Sequence, residues 1–164
     1  MNSMKEIRIE KVTLNIGTGE AGSKLEKAMK LLQALSNQKP VATITKKRIP
    51  TWGVRPGTTI GAKVTLRRNQ DRIVENMLKA VEDKLSQKKI GNGIFSFGIP
   101  EYIQVPGAKY DLSIGIIGFG VMVTLERRGF RVKKRMVKKG KIPQRHLISK
   151  QETIDFLKNK FKTK

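Results

Sequence analysis

Alternating apolar and polar residues predict the strands of this chain. In residues 7–16 the apolar positions change from odd numbers, up to Ile9, to even numbers, from Val12 onward. One extra residue in a strand produces such a change of phase, so a strand with a bulge near Lys11 is predicted. Further strands are predicted over residues 41–45, 60–67 and 119–126.

The alternation in residues 60–67 gives this strand one apolar side and one basic side. Its apolar positions, which are predicted to face a core, are Ile60, Ala62, Val64 and Leu66. Its outward positions are Gly61, Lys63, Thr65 and Arg67. A basic strand face of this kind is suited to contact with a polyanion.

Apolar residues three and four positions apart predict helices. Ser23 and Glu26 have the spacing of a capping box, so the first helix is predicted to cover about residues 24–36. Asn69 is predicted to cap a second helix, which ends near Gln87. The predicted apolar stripes are Leu25, Ala28, Met29, Leu32 and Leu35 in the first helix and Ile73, Met77, Leu78, Val81 and Leu85 in the second.

The second half of the chain begins with a stretch that Gly and Pro interrupt and ends in a helix. Residues 88–117 are predicted to form short strands and turns. The core anchors expected there are Ile94, Phe95, Phe97 and Ile99. Ser149 and Glu152 predict a capping box for a final helix over residues 149–161. Its predicted apolar side is Ile154, Leu157 and Phe161.

The order of these elements predicts an α+β domain. An antiparallel sheet with helices packed on one face accounts for the amphipathic strands and helices, and it leaves the other face free for a ligand. A chain of 164 residues with 38% apolar residues is long enough for one such core. We therefore predict a single domain over residues 1–164, which includes a basic arm over residues 127–145 and the helix over residues 149–161.

The segment from Thr45 to Arg68 joins a basic loop to the basic strand and contains no Asp or Glu. Two prolines interrupt residues 49–57, which predicts a loop with few backbone hydrogen bonds of its own that is mobile in the free protein. Trp52 and Arg55 lie at its tip. An exposed Trp beside cations is suited to stacking on RNA, whereas a Trp folded back onto a small core is the alternative.

The net charge of +22 turns a generic α+β domain into a candidate polyanion-binding protein. Residues 27–70 contain ten Lys or Arg and no Asp or Glu, and residues 127–151 contain eleven Lys or Arg and again no acid. Two acid-free zones predict two contact surfaces, or one surface built from both. Nucleic acid is the partner that this charge favours.

The absence of certain residue types disfavours other classes of protein. It has no Cys and a single histidine, His146, so the sequence predicts no disulfide, no thiolate metal site, no catalytic triad and no cofactor. No apolar stretch has the length of a signal peptide or of a transmembrane helix. We therefore expect a soluble, cytosolic protein with no membrane partner.

Gly17 to Gly22 matches the G-x-G-x-x-G pattern of dinucleotide-binding sites and lies between a predicted strand and a predicted helix. The pattern also needs an acidic residue about 20 positions later, but none occurs between Glu26 and Asp71. We therefore interpret the glycines as a tight turn with positive φ angles, and an NADP-type enzyme is the alternative.

The basic arm interleaves its cations with apolar residues such as Phe130 and Val132. This composition favours a segment that becomes ordered on RNA over one that is merely solvated. The same two residues equally allow the arm to continue the preceding strand as a hairpin. The sequence leaves both possibilities open.

Three motifs follow one another at set distances: Ile9–Gly17 (IEKVTLNIG), Asn37–Pro40 (NQKP) and the whole of Thr45–Arg68. In this order they resemble the universal family of ribosomal proteins that bind 5S rRNA in the central protuberance, the fifth large-subunit protein family. In the last third, Arg128–Arg131 (RGFR) and His146–Lys150 (HLISK) resemble the archaeal and eukaryotic branch. The resemblance covers nearly the whole chain.

The resemblance implies a structural component of the large ribosomal subunit, on cytoplasmic ribosomes and without catalytic activity. It implies binding of 5S rRNA at Asn37, Gln38, Lys39, Thr43, Lys63, Thr65 and Arg67. It implies contact with P-site tRNA at Arg48, Trp52 and Arg55. The charge of the arm adds expected RNA contacts at Arg127, Arg128, Arg131, Lys133, Lys134 and Arg135. Whether the arm and the final helix contact large-subunit rRNA or a neighbouring ribosomal protein is left open. Neighbouring proteins of the central protuberance and a protein of the small-subunit head are further expected partners.

Composition alone also permits a packaging protein that coats nucleic acid without sequence preference. Such a protein would release 5S rRNA to excess duplex DNA, whereas a protein specific for 5S rRNA would retain it. The order of the three motifs favours the ribosomal function.

Overall fold

The computed structural model describes residues 2–20 and 22–163, apart from the side chain of Trp52. In chain order its main elements are β1 (Ile7–Gly17), α1 (Ser23–Ser36), β2 (Val41–Ile44), β3 (Thr59–Leu66), α2 (Gln70–Lys79), β4 (Ile90–Gly91), β5 (Ile94–Ile99), β6 (Phe119–Arg127), α3 (Arg131–Lys134) and α4 (Lys150–Phe161). The strands form one sheet in the order β2-β3-β1-β6-β5-β4, and every neighbouring pair is antiparallel. The predicted α+β class is confirmed.

The sheet is organised around β1, which pairs with β3 on one side and with β6 on the other. Its register with β6 shifts between Ile9 and Lys11, which leaves Glu10 as the additional residue. The bulge predicted near Lys11 is therefore confirmed. It allows Ile9 and Val12 to be buried together although three positions separate them.

One face of the sheet carries the core. The buried positions of β1 and β3 lie opposite each other in pairs: Val12 with Leu66, Leu14 with Val64, and Ile16 with Ala62. The helices contribute Leu25, Ala28, Leu31 and Leu32 from α1, Val74, Met77 and Leu78 from α2, and Leu157 from α4. All these side chains belong to one apolar cluster, so the helices cover one face of the sheet as predicted.

The three predicted helix caps have different outcomes. The capping box of α4 is confirmed, because Ser149 Oγ accepts from the backbone N–H of Glu152 and the Glu152 carboxylate accepts from the backbone N–H of Ser149. The box predicted at Ser23 is wrong, because Gly22 is the N-cap and no side chain caps α1. Asn69 is the N-cap of α2 by position only, since its backbone is left-handed and its side chain makes no capping bond.

The end of α2 and one core position also differ from the prediction. The helix ends at Lys79 rather than near Gln87, because the chain turns through Glu82 and Asp83, whose φ angles of 54° and 56° are left-handed. Ile94 is not a core anchor: it is 50% exposed and lies opposite Thr124 on the face away from the helices. The run IFSFGI carries apolar residues in both phases, so alternation alone does not identify the outward one.

Candidate nucleic-acid interface

The sheet face away from the helices is the candidate interface, and we call it the open face. The strand register aligns its side chains in rows across the sheet. One row is Val41, Lys63, Asn15, Gly120 and Gly98, and the next is Thr65, Thr13, Met122 and Ser96. Neither row contains a carboxylate, so phosphates can approach the middle of this face without like-charge repulsion.

The open face has a basic half and a neutral half. In the half built by β2, β3 and β1, Lys63 is exposed beside the half-buried Thr43 and Thr65, all three of which were predicted to contact RNA. In the half built by β6 and β5, Met122 and Ile94 are 48% and 50% exposed, and the charged residues nearest to Ile94 are those at the end of the face, Glu10, Lys133 and Lys134. Predicted phosphate contacts therefore concentrate at the β2–β3 side.

Sequence reasoning missed part of the basic half. Lys11, Thr13 and Asn15 of β1 lie on the open face, and Thr13 and Asn15 lie opposite Thr65 and Lys63. The signal that identifies them is present in the sequence. They alternate with the buried Val12, Leu14 and Ile16, so the phase of β1 places them outward once the bulge is located.

Gly61 keeps β3 close to both of its neighbours. A Cβ atom at this position would lie 2.7 Å from the carbonyl oxygen of Ile16 and 2.9 Å from Oγ1 of Thr43, which is too close for any other residue. The open face is therefore flat where Thr43 lies. A flat face of this kind allows the backbone of an RNA strand to come near the sheet.

The remaining residues predicted for 5S rRNA lie at the margins of the open face. Asn37 ends α1 with a left-handed backbone, and Gln38 and Lys39 are exposed just before β2 begins. Arg67 is exposed immediately after β3 and lines a cleft with Arg8 and other charged residues. The margin at Lys39 extends the basic half, whereas the cleft at Arg67 has mixed charge because it also holds Glu10, Asp71 and Glu126.

The loop between β2 and β3, residues 45–58, is held by its own backbone, and we call it the β2–β3 loop. Ile49 and Val54 exchange two N–H···O hydrogen bonds of 3.0 and 3.1 Å, and the N–H of Thr45 donates to the carbonyl oxygen of Thr58 at 2.9 Å. Val54 is buried within it. The prediction of few backbone partners is wrong, because the chain continues beyond the sheet as a hydrogen-bonded ribbon.

The tip of the β2–β3 loop presents the residues predicted for tRNA. Arg48 and Arg55 are both exposed, so their guanidinium groups are accessible to phosphate. The backbone of Trp52 ends a short 3₁₀ turn that begins at Pro50, and its side chain lies outside the described part of the structure. Both interpretations of Trp52, stacking and bracing, stay predictions.

Arg127 differs from the other predicted arm contacts because its side chain is only 7% exposed. Its Nη2 atom lies 2.5 Å from Oε1 of Glu152, and Nη1 donates to the carbonyl oxygen of Leu147 at 3.4 Å. A hydrogen bond from the backbone of Ser149, helped by the Arg127 guanidinium, holds the pKa of Glu152 below its usual value although burial opposes this shift. The predicted RNA contact at Arg127 is therefore corrected: this residue fixes α4 to β6.

Lys134 is also engaged within the protein, in an ionic cluster of Arg8, Glu10, Glu126 and Lys134. Its Nζ atom lies 2.7 Å from a carboxylate oxygen of Glu10 and 2.7 Å from one of Glu126, and Arg8 lies 2.6 Å from Glu126. Burial raises the pKa of Glu126, but hydrogen bonds from Lys134 and Arg8 outweigh this effect and hold the pKa below its usual value. The cluster fastens the arm to the end of the open face.

The arm is not a continuation of β6, so the hairpin interpretation is wrong. After a turn at Gly129, with φ of 91°, the chain forms the single helical turn α3. The ring of His146 packs 5.9 Å from that of Phe130, and its Nε2 atom is 2.9 Å from the carbonyl oxygen of Arg128. Five of the predicted arm contacts are exposed on this folded segment: Arg128, Arg131, Lys133, Lys134 and Arg135.

The glycine turn after β1 forms no dinucleotide site. Gly19 and Gly22 have φ angles of 71° and 110°, which confirms the interpretation as a tight turn; Ala21 of the motif lies outside the described residues. After α1 the chain returns as β2, an edge strand antiparallel to β3, whereas a dinucleotide fold needs a parallel neighbour of β1.

Metal sites and membrane-spanning helices are absent from residues 2–20 and 22–163. No group of three or more His, Asp or Glu side chains there is placed to hold a metal ion. In the same part of the chain, every helix is too short or too polar to span a bilayer. The open face, the β2–β3 loop and the arm are the surfaces that carry the predicted RNA contacts.

Comparisons with known proteins agree in both halves of the chain. A family model described as "Ribosomal protein L5" matches residues 2–55, and a second model, described as the C-terminus of the same ribosomal family, matches residues 59–156. The large ribosomal subunit protein uL5 of Nanoarchaeum equitans is 50% identical over 153 residues, which cover 92% of this chain and 90% of that protein. The uL5 proteins of Sulfurisphaera tokodaii and Archaeoglobus fulgidus are 48% identical over 164 residues (98% and 93% covered) and 45% identical over 159 residues (96% and 89% covered).

Proposed function

Because the chain belongs to the ribosomal protein L5 family, in its archaeal form, we propose that its open face binds 5S rRNA and helps to form the central protuberance of the large ribosomal subunit. Membership makes it a structural component of the large subunit, ribosome-bound in the cytoplasm and not an enzyme. The proposal concerns which RNA it binds and with which residues.

The observation that carries the proposal is the basic half of the open face. Lys63 is exposed in a row without carboxylates, between Val41 and Asn15. Lys63, Arg67 and Lys39 neutralise phosphates and release counterions, while the hydroxyl groups of Thr43 and Thr65 are placed for ribose or base edges. Asn37 and Gln38 extend this surface at its margin.

The second part of the proposal assigns the β2–β3 loop to P-site tRNA. A ribbon braced by its own hydrogen bonds holds Arg48 and Arg55 away from the sheet, so they can reach a second RNA while the open face binds the first. Trp52 lies between them in sequence and is proposed to stack on tRNA or to brace the tip.

A place in the central protuberance brings further partners within reach of the chain. The exposed arm residues Arg128, Arg131, Lys133 and Arg135 bind large-subunit rRNA. Proteins of the central protuberance and a protein of the small-subunit head lie within reach of a protein placed there. Residues 1–164 act as a single domain, an assignment that the single apolar cluster supports.

The open face is tested by replacing Lys63 and Thr65 together with Ala. Affinity for 5S rRNA in a filter-binding titration should fall by more than ~1 kcal/mol, because both side chains face away from the core. The control variant Lys27→Ala removes one positive charge from α1 and should change the affinity for 5S rRNA little. An equal loss in both variants, or displacement of 5S rRNA by excess duplex DNA, would instead support a nonspecific packaging protein.

The β2–β3 loop is tested by the double variant Arg48→Ala and Arg55→Ala. We expect the 5S rRNA titration to change less than about twofold, whereas retention of P-site tRNA on reassembled ribosomes should fall about tenfold, since two charge-assisted contacts are lost. Equal losses in both measurements would place the loop on the 5S rRNA surface. No loss in either would make it a passive connection.

A further inference from the structure

The arm contains a closed, strongly basic loop whose tip is apolar, and we call residues 131–141 the cationic loop. Six of its cations make no ion pair within the described part of the chain: Arg131, Lys133, Arg135, Lys138, Lys139 and Lys141. Met136 and Val137 lie between them and are 93% and 74% exposed. Exposure of two adjacent large apolar side chains indicates a contact surface.

The cationic loop is folded before any partner is present. The N–H of Gly140 donates to the carbonyl oxygen of Val132 at 3.1 Å, and Nε of Arg135 donates to the carbonyl oxygen of Lys138 at 2.6 Å. Gly140 lies so close to Val132 that a Cβ atom there would be 2.7 Å from Cγ1. These contacts close the loop and hold its tip outward, which lowers the entropy lost on binding.

The base of the cationic loop is anchored to the body by the ionic cluster. Lys134 bridges Glu10 and Glu126 and thereby neutralises two carboxylates that would otherwise repel a polyanion at this end of the open face. Lys134 therefore positions the loop, and the RNA contact predicted for it stays a prediction. The six other cations are left to interact with a partner.

We propose that the cationic loop is a second, preformed RNA-binding site, in which Met136 and Val137 pack against an unstacked base of ribosomal RNA while the surrounding cations bind its phosphates. Some proteins bind nucleic acid by inserting apolar side chains between bases. Bulges and loops of RNA present unstacked bases that such side chains can contact. This deepens the large-subunit rRNA contact proposed above for Arg131, Lys133 and Arg135 and rests on it for the identity of the RNA. It adds the preformed loop, three further lysines and the apolar contact with a base.

The composition of the loop favours RNA over a protein partner. Four of the six cations are lysines, and Lys is depleted at protein–protein interfaces. A protein covering Met136 and Val137 would have to neutralise all the surrounding charges with its own carboxylates. RNA supplies regularly spaced phosphates and exposed base faces together.

Binding is tested with the double variant Met136→Ser and Val137→Ser, using two probes: purified 5S rRNA, and deproteinised large-subunit rRNA free of 5S rRNA. Affinity for the large-subunit rRNA should fall about tenfold, because two buried apolar contacts are lost. Affinity for 5S rRNA should change less than about twofold. The matched control, Leu112→Ser and Ile116→Ser, removes two exposed apolar residues from another loop and should leave both affinities unchanged.

The partner is identified by photo-crosslinking from p-benzoylphenylalanine placed at position 137 in assembled large subunits. A crosslink to rRNA is expected. A crosslink to a ribosomal protein, or none, would overturn the proposal, as would unchanged affinity of the double variant for large-subunit rRNA. Failure of the unaltered protein to bind 5S rRNA would overturn the open-face proposal and leave this one standing, so the two failures are distinguishable.

Discussion

The β2–β3 loop and the cationic loop are both exposed, basic and free of acidic residues, but different forces hold them. The β2–β3 loop is braced by backbone hydrogen bonds between its own two sides, such as the pair joining Ile49 and Val54. The arm that carries the cationic loop is fastened by side-chain ion pairs to acids elsewhere: Lys134 to Glu10 and Glu126, and Arg127 to Glu152.

This difference makes the two loops respond to different conditions. Backbone hydrogen bonds are independent of pH over the range in which carboxylates titrate, and ionic strength affects them little. Ion pairs weaken when a carboxylate is protonated or when salt screens the charges. Two basic segments without acidic residues are therefore held by different kinds of contact, according to where their partners lie.

The largest effect is expected for Glu152→Gln, which removes the partner of the buried Arg127. Gln can still form the capping box at the start of α4, so the change in the free energy of unfolding reports mainly the loss of the ion pair. We expect the free energy of unfolding to fall by about 2 kcal/mol, below the range for fully buried pairs because the Glu152 side chain is 41% exposed. Glu75→Gln, which breaks an exposed pair with Lys79, should cost less than about 0.5 kcal/mol in the same denaturant titration. Equal costs would mean that Arg127 is solvated and free to bind RNA.

A smaller effect is expected for Lys134→Gln, compared with Lys133→Gln. Both variants remove one positive charge, but only Lys134 joins the ionic cluster. Hydrogen exchange at the amides of residues 131–140 should accelerate about fivefold in Lys134→Gln, which corresponds to a local loosening of ~1 kcal/mol, and hardly at all in Lys133→Gln. Exchange in the β2–β3 loop should stay the same in both. Matching rates in the two variants would show that the loop's own hydrogen bonds suffice to hold it.

The smallest effect is expected from acid. Because folding lowers the pKa of Glu126, its contribution to stability is complete above its ordinary value of 4.5 and is lost as the pH falls through the lowered value. The raised pKa of Lys134 has the opposite sign, so that contribution is lost only when the pH rises above 10.5. As the pH falls from 7 to about 3, hydrogen exchange in the arm should therefore accelerate, after correction for the intrinsic pH dependence of exchange. The β2–β3 loop has no Asp, Glu or His, so its corrected exchange rate should not change. A parallel response of both loops would remove the distinction between them.

Much of the fold could be predicted from local patterns. Alternation located β1 with its bulge, β3 and β6 and assigned most of their faces, because side-chain direction in a strand depends only on position along it. The capping box of α4 is equally local, since its two residues are three positions apart. Prediction failed at Ser23 because α1 begins one residue earlier than the capping pattern requires, with Gly22 as N-cap. It failed at Ile94 because the run has apolar residues in both phases, and packing against the helices buried the other phase.

What the sequence by itself determined is the family, the α+β class, the basic character of the chain and the outward direction of Lys63 and Thr65. What only the tertiary structure decided is which cations are available to a partner. Arg127 and Lys134 belong to the same basic stretch as Arg131 and Lys133, yet folding brings Glu152, Glu10 and Glu126 to the first two, and within residues 2–20 and 22–163 no carboxylate forms an ion pair with the others. The physical reason is that an ion pair depends on distance in space: β1, which carries Glu10, becomes a neighbour of β6 and of the arm only when the sheet is assembled.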